Sequence, residues 1–272
     1  RPVPAPEGRI LVDTCGTGGG GLTTFNISTA AALVASGAAA SRGFPLAVAK
    51  HGNRSFTSRS GSADILEALG VRIELTPEGM GRVLADVGIV FMFAPLLHPA
   101  MRHVGPVRRE LGVPTIMNLL GPLTNPAGVR RQVVGVSDPE LVPLVVEALS
   151  ALGHDRALVV HGEPGLDEMS ILGATRVAEL IGGEVRHRQV TPEAAGLETG
   201  TPAEIAGGSP EENARLVLEI LEGRMGGGAR NVTLLNAAAA LEVAGAVESL
   251  AEGVAWAAQA VDSGAARDQL EA

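Results

Sequence analysis

Short apolar runs alternate with longer segments of helical periodicity along most of the chain. Six strand-like runs rich in valine, leucine or isoleucine are predicted, at residues 9–12, 46–49, 71–75, 88–93, 132–136 and 157–160. Helices are predicted after residue 29, in AAALVASGAAA, and at 62–69, 139–152 and 210–221, with an alanine-rich core helix and a second helix within 231–260. Strands that alternate with helices indicate an α/β fold with a central, largely parallel sheet flanked by helices.

The segment between the first strand and the first helix is unusually rich in glycine. It reads DTCGTGGGGLTTFNIST, with five glycines at the six positions 16–21. Because glycine loses more conformational freedom on folding than any other residue, such a run needs a physical reason, and close approach of the backbone to a ligand is one. Ser28 and Thr29 precede the alanine-rich run and are predicted to cap the helix.

Two nucleotide-binding motifs can be compared with this glycine loop. Residues 16–21 satisfy G-x-G-x-x-G after a strand, the signature of a dinucleotide fold. That fold needs a helix directly after the glycines and an acidic residue about 20 positions on. Here the helix is predicted only after Thr29, and the second strand ends in Lys50 and His51. A P-loop is excluded because no lysine follows the glycines.

A diphosphate cradle accounts for the whole segment. Backbone N–H groups of the glycines and the hydroxyls of Ser28 and Thr29 would converge on an anion at a helix N-terminus. A surface loop without a ligand explains the glycines but not the N-I-S-T sequence behind them.

Composition removes several classes of function. The formal charge is −9, aromatic residues make up 2% of the chain, and no basic run occurs, so nucleic-acid binding is not expected. A single cysteine, Cys15, excludes an internal disulfide framework and suits a reducing compartment. No apolar stretch is long enough for a membrane span, and the N-terminal RPVPAPEG is no signal sequence, so a cytoplasmic, soluble protein is expected.

Residues 50–64, KHGNRSFTSRSGSAD, form a second candidate cluster. Lys50 is the only lysine among 21 basic residues, and it follows a predicted buried strand. Two arginines and five hydroxyl side chains lie after it in the same segment. This composition suits phosphate oxygens, although such segments are also common as solvated charge runs. His51 has no adjacent carboxylate to tune it, so a positioning role is favoured over general-base catalysis.

Residues 161–170, HGEPGLDEMS, form the third cluster. Asp167 and Glu168 follow a predicted strand and a glycine turn. In a site that gathers diphosphate, such carboxylates are candidates for holding Mg²⁺. No Cys/His spacing indicates zinc, and Cys15 has no evident partner for nucleophilic catalysis.

In this order the three clusters resemble the anthranilate phosphoribosyltransferases, which join anthranilate to phosphoribosyl diphosphate (PRPP) in tryptophan biosynthesis. The resemblance covers nearly the whole chain and includes GTGGGGLTTFNIST, VAKHGNRSFTSRSGSADILEALG, HPAMRHVGPVRRELGVPTIMNLLGPLTNP and HGEPGLDE. It implies a nucleoside phosphorylase/phosphoribosyltransferase-like catalytic domain over residues 1–272. A pyrimidine nucleoside phosphorylase and a non-catalytic PRPP-binding protein are the alternatives.

The resemblance also implies roles for individual residues. Lys50, Asn53 and Arg108 are expected to be catalytic, and Ser28, Asp167 and Glu168 to hold Mg²⁺. The expected substrate-binding residues are Gly16, Gly19, Gly20, Thr24, Asn26, Ile27, Ser28, Thr29, Lys50, His51, Gly52, Asn53, Arg54, Ser55, Phe56, Thr57, Ser58, Ser62 and Arg108.

Two departures from the family pattern lead to further expectations. The family loop is G-T-G-G-D-G, whereas Gly20 stands at the aspartate position, so Gly20→Asp is expected to tighten magnesium-dependent PRPP binding. Family members begin with a helical segment that helps to form a small α domain and the homodimer interface. That small domain is expected to be incomplete here, with 95–115 as its remnant.

Overall fold

The computed structural model describes residues 1–55, 59–104, 110 and 115–272. In these residues one sheet is formed by β1 (Ile10–Gly16), β2 (Leu46–Gly52), β3 (Ile89–Phe93), β4 (Arg131–Gly135), β5 (Arg156–Gly162), β6 (Thr175–Ile181) and β7 (Glu184–Val190). The strand order is β3-β2-β1-β4-β5-β6-β7. The first five strands in that order are parallel, and β6 and β7 add an antiparallel hairpin. The predicted α/β class with a largely parallel sheet is therefore confirmed.

Helices cover both faces of the sheet. The α-helices of the described residues are α1 (Ile27–Ser41), α2 (Ser62–Ala68), α3 (Pro77–Asp86), α4 (Ala94–Leu97), α5 (Ile116–Leu120), α6 (Leu141–Ala151), α7 (Pro210–Leu221), α8 (Gly227–Ala244), α9 (Leu250–Asp262) and α10 (Ala265–Glu271). Short 3₁₀ turns occur at Pro99–His103, Pro122–Thr124, Glu193–Ala195 and Pro202–Ile205.

Alanine, valine and leucine build the core, as the aromatic-poor composition requires. On one face α1 and α8 pack over the strands through long runs of buried alanine. Gly37 lies in the middle of α1, where an added Cβ would lie 2.5 Å from the carbonyl oxygen of Ala265, so glycine lets α10 pack closely. On the other face α3 packs against β2 and β3, and α6 packs against β4, β5 and β6. Both faces are thus covered, as a parallel sheet needs.

Several predicted elements are wrong. Residues 71–75 form no strand but a link without regular secondary structure between α2 and α3, because β3 occupies the position beside β2. The β6–β7 hairpin was not predicted, because its many charged residues obscure the alternation of apolar and polar positions that marks a strand. Its one hairpin signal is the Gly182–Gly183 turn, in which both φ values are positive. Residues 223–230 look like a flexible loop in sequence, yet α8 begins within them at Gly227.

Two further expectations concern membrane spans and a small α domain. No helix in the described ranges combines the length and apolarity needed to cross a bilayer. Within residues 95–115, α4 and the Pro99–His103 turn are short helical segments, and much of 105–114 lies outside the described residues. The remnant of a small α domain therefore stays a prediction.

Candidate functional site

The glycine loop leaves β1 where the strand order reverses, with β2 and β3 on one side and β4 and β5 on the other. Ligands of open α/β sheets bind in the crevice at such a point. Gly18 and Gly19 have φ values of +73° and +84°, a region that favours glycine. An added Cβ on Gly16 would lie 2.0 Å from Asp167 Oδ2, so glycine there lets a carboxylate reach the backbone.

Helix α1 begins at Ile27, three residues earlier than predicted. Asn26 is its N-cap residue, and Ser28 and Thr29 lie in the first turn, so the prediction that these two hydroxyls cap the helix is wrong. The Asn26 side chain instead fixes neighbouring segments, because its Oδ1 accepts hydrogen bonds from Ser60 Oγ and Asn213 Nδ2, both at 3.0 Å.

Lys50 is buried at the centre of the site, with 3% of its surface exposed. Its Nζ donates to the carbonyl oxygen of Thr14 at 2.6 Å and to Ser28 Oγ at 3.1 Å. The chain's only lysine thus connects the end of β1 to the first turn of α1 and does not lie on a solvated surface.

The two predicted metal carboxylates meet the same elements. Asp167 Oδ2 accepts a hydrogen bond from the Gly18 N–H at 2.7 Å, and Glu168 lies close enough to Ser28 for the backbone and hydroxyl of that residue to lower its pKa. Burial and the neighbouring Asp167 raise the pKa of Glu168 to about 8, and burial also raises the pKa of Asp167. The fold therefore brings Ser28, Asp167 and Glu168 together. Among the described residues, no group of three or more His, Cys, Asp or Glu side chains forms a metal site.

Thr29 adds an unsatisfied hydroxyl to this region. Its Oγ1 is buried and has no hydrogen-bond partner among the described residues. A buried polar group without a partner is costly, so this hydroxyl is a strained point of the first turn of α1.

A neutral imidazole pair lies on the opposite face of the sheet. His51 Nδ1 is 3.3 Å from the carbonyl oxygen of Gly121, so it carries the proton, and His51 Nε2 is 3.2 Å from His98 Nε2, which must then donate. Burial lowers the pKa of His51 to about 4 and also lowers that of His98. His98 was missed as a site residue, although it begins the HPAM segment of the family resemblance.

Asp13 was also missed. Strands β1 and β2 pair only as far as Val12 and Val48, and beyond this point the buried Asp13 side chain spans the gap between them. Its Oδ1 accepts from the backbone N–H of His51 at 3.2 Å, and its Oδ2 accepts from Asn125 Nδ2 at 2.8 Å. A buried acidic residue at the end of a strand was the available signal.

Several polar groups of the loop after β2 form hydrogen bonds within the loop or with α2. Arg54 pairs with Asp64, Nη1 to Oδ1 at 2.9 Å, and with Glu67, Nη2 to Oε1 at 2.9 Å. Asn53 Oδ1 accepts from the Arg54 N–H, and the Ser55 N–H donates to Asp64. Of the predicted site residues, four lie outside the described residues: Phe56, Thr57, Ser58 and Arg108.

Three of the remaining predicted residues are held by backbone pairing or packing contacts. Thr24 forms an isolated bridge with Ala206, and the Ile27 side chain is in the core, so only the main chain of Ile27 can face a ligand. Gly52 lies against Phe91 and Ser62, so that a Cβ there would meet the Phe91 ring at 2.7 Å.

Gly20 is in contact with another loop. An added Cβ at this position would lie 2.7 Å from the carbonyl oxygen of Gly165, a distance that real Cβ atoms do not tolerate. A side chain at position 20 therefore requires the 163–165 turn to shift.

Comparison with known proteins places this arrangement in a family. Residues 8–267 match the glycosyl transferase family, a/b domain. The anthranilate phosphoribosyltransferases of Rubrobacter xylanophilus and Thermomicrobium roseum are each 53% identical, and each match covers 99% of this chain and 76% of the relative.

Solved structures agree with this placement. The crystal structure of anthranilate phosphoribosyltransferase from Thermus thermophilus has a TM-score of 0.91 at 48% identity, over 100% of this chain and 78% of that one. The Saccharomyces cerevisiae enzyme in complex with PRPP and Mg has a TM-score of 0.87 at 33% identity, over 96% and 72%. The chain therefore belongs to the glycosyl transferase family and, within it, to the anthranilate phosphoribosyltransferases.

Proposed function

We propose that the chain transfers the 5-phosphoribosyl group of PRPP to the amine of anthranilate, releasing diphosphate and forming N-(5-phosphoribosyl)anthranilate. One observation carries this proposal. The only lysine of the chain is buried where the glycine loop, the first turn of α1 and the Asp167–Glu168 pair converge.

Mg²⁺ fits the residues that were predicted to hold it. Two carboxylates and the Ser28 hydroxyl are oxygen donors, which this ion prefers. The raised pKa of Glu168 reflects two carboxyl groups that are buried side by side, with Lys50 as a partial counter-charge. A divalent cation held by Asp167, Glu168 and Ser28 would offset this negative charge and that of a bound diphosphate.

The residues that would contact diphosphate act mainly by stabilising negative charge. Lys50 and the N–H groups of the glycine loop would line the crevice in which diphosphate would leave. Preorganised donors of this kind stabilise charge that develops on a leaving group. An arylamine is a modest nucleophile, so a good leaving group is the main requirement.

The residues that would contact anthranilate act mainly by orienting it. Asn53 and Arg108 align anthranilate, with the guanidinium paired to the carboxylate of the substrate, and fixing the amine in this way lowers the entropic barrier. His51 is neutral at pH 7 because of its lowered pKa. It therefore places no positive charge beside a cation-like ribosyl group, and no strong general base is needed, since the amine loses its proton after the C–N bond forms.

The test is the loss of anthranilate fluorescence when the protein is mixed with anthranilate, PRPP and Mg²⁺, with PRPP omitted as the control. A PRPP-dependent loss supports the transferase. If fluorescence is unchanged but PRPP raises the melting temperature, the non-catalytic PRPP-binding alternative is favoured. Turnover of a pyrimidine nucleoside with inorganic phosphate would favour the phosphorylase. A homodimer and a cytoplasmic location stay predictions from the resemblance and the composition.

A further inference from the structure

Helix α8 carries one polar side chain whose partners lie in the candidate site. Asn236 sits in the alanine-rich segment NAAAALEVA and is 4% exposed. Its Oδ1 accepts from the Met169 N–H at 2.9 Å, and its Nδ2 donates to the Met169 carbonyl oxygen at 3.0 Å. The side-chain amide thus pairs with the main chain of the residue that directly follows Glu168.

The segment held by Asn236 is confined on its opposite side as well. An added Cβ on Gly135 would lie 1.7 Å from the Asp167 carbonyl oxygen, and one on Gly16 would lie 2.0 Å from Asp167 Oδ2. The strand ends of β1 and β4 therefore press against the carboxylate pair, while α8 fixes the next residue through two hydrogen bonds. Displacing Met169 would move Glu168 away from Ser28.

We propose that Asn236 is a positioning residue for the Asp167–Glu168 pair, and through it for the Mg²⁺ that accompanies PRPP. The inference rests on the proposed function. A buried asparagine costs free energy to desolvate unless its hydrogen bonds are made. Here they are all made to main-chain groups, two to Met169 and one from Nδ2 to the Val232 carbonyl oxygen at 2.9 Å.

Thr233 provides a matched control on the same helix. It is fully buried, and its Oγ1 donates to the Ala229 carbonyl oxygen at 2.9 Å, within α8 itself. Thr233→Val removes one buried hydrogen bond of the same helix without touching the 167–169 segment. It therefore reports the effect of a general loss of stability.

The experiment is calorimetric titration of the full chain with PRPP, with and without Mg²⁺. Loss of a group that orients metal ligands weakens metal affinity by about 10–100-fold. We expect Asn236→Ala to weaken PRPP binding about tenfold or more in Mg²⁺ but less than about threefold without it. We expect Thr233→Val to leave both affinities near those of the wild type.

Equal weakening with and without Mg²⁺, or the same loss in Thr233→Val, would overturn the proposal. Should Asn236→Ala not fold, Asn236→Asp keeps the shape of the side chain and its acceptor while removing the amide donor. Faster hydrogen exchange of the Met169 amide in Asn236→Ala, which removes the acceptor of that amide, is a ligand-free readout that is also expected. A wild-type chain that binds no PRPP would contradict the proposed function itself, whereas unchanged binding by Asn236→Ala would contradict only this inference.

Discussion

On one face of the sheet, Lys50 and Ser28 meet two carboxylates, and burial raises the pKa of each carboxyl group. On the other face, at the same end of the strands, His51 contacts Gly121 and His98, and burial lowers the pKa of both imidazoles. The first region collects an ammonium, two carboxyl groups and backbone donors. In the second region, burial disfavours the charged form of both imidazoles.

Under the proposed function, this difference would let one sheet serve two substrates of different chemistry. A leaving diphosphate needs donors and positive charge, which act strongly in a water-poor crevice. An aromatic amine needs an uncharged surface with fixed hydrogen-bonding atoms. We expect substitutions on the two faces to separate the binding of the two substrates.

The largest expected effect comes from Lys50→Ala. This change removes the donor to Thr14 and Ser28 and leaves Glu168 without its nearby positive charge. We expect the dissociation constant for PRPP to rise about 100-fold or more, in line with the loss of a preorganised donor, while that for anthranilate changes little. Calorimetry with each substrate measures both dissociation constants.

The control is Arg42→Ala, which removes a cation beside Trp256. Equal loss of both substrates, or of neither, would contradict the division between the faces.

An intermediate effect is expected from pH on the neutral face. The folded-state pKa of His51, about 4, lies below its ordinary value of 6.5, so the unfolded chain binds this proton first as the pH falls. Its contribution to the free energy of unfolding is complete above pH 6.5 and is lost between pH 6.5 and 4. At pH 5 the loss is about 2 kcal/mol.

Urea unfolding of the wild type and of His51→Gln at pH 7.5 and pH 5 isolates this term. The carboxyl groups with raised pKa values act in the opposite direction, but they are present in both proteins and largely cancel in the comparison. The wild type should lose about 2 kcal/mol more than the variant. The same pH dependence in both proteins would mean that His51 titrates normally.

The smallest expected effect concerns Gly20. The contact with the Gly165 carbonyl oxygen changes the expectation from sequence, because a side chain at position 20 must displace the 163–165 turn. We now expect Gly20→Asp and Gly20→Ala to weaken PRPP binding by less than about tenfold, the cost of a modest local rearrangement. A magnesium titration of PRPP binding checks this. Tightening in Gly20→Asp alone would show that the turn yields and that the carboxylate compensates.

The sequence could predict local chemistry better than long-range contacts. The glycine loop, Lys50 and the Asp167–Glu168 pair each lie at or just after the carboxyl end of a strand. Parallel strands bring these ends to one edge, so the convergence of the three was predictable. The pairing of His51 with His98 and the contact of Asn236 with Met169 join residues 47 and 67 positions apart. No periodicity encodes such contacts, and in sequence Asn236 looks like part of an apolar helix.

Lys50 and His51 are neighbours in β2, and their side chains point to opposite faces because side chains alternate along a strand. A slip of β2 by one residue would exchange the ammonium and the imidazole. Under the proposed function, the strand would then hold the departing and arriving groups on opposite sides of the reacting sugar. If diphosphate leaves from the Lys50 face and the amine enters from the His51 face, the attack is in line, and the anomeric carbon of the product has inverted configuration.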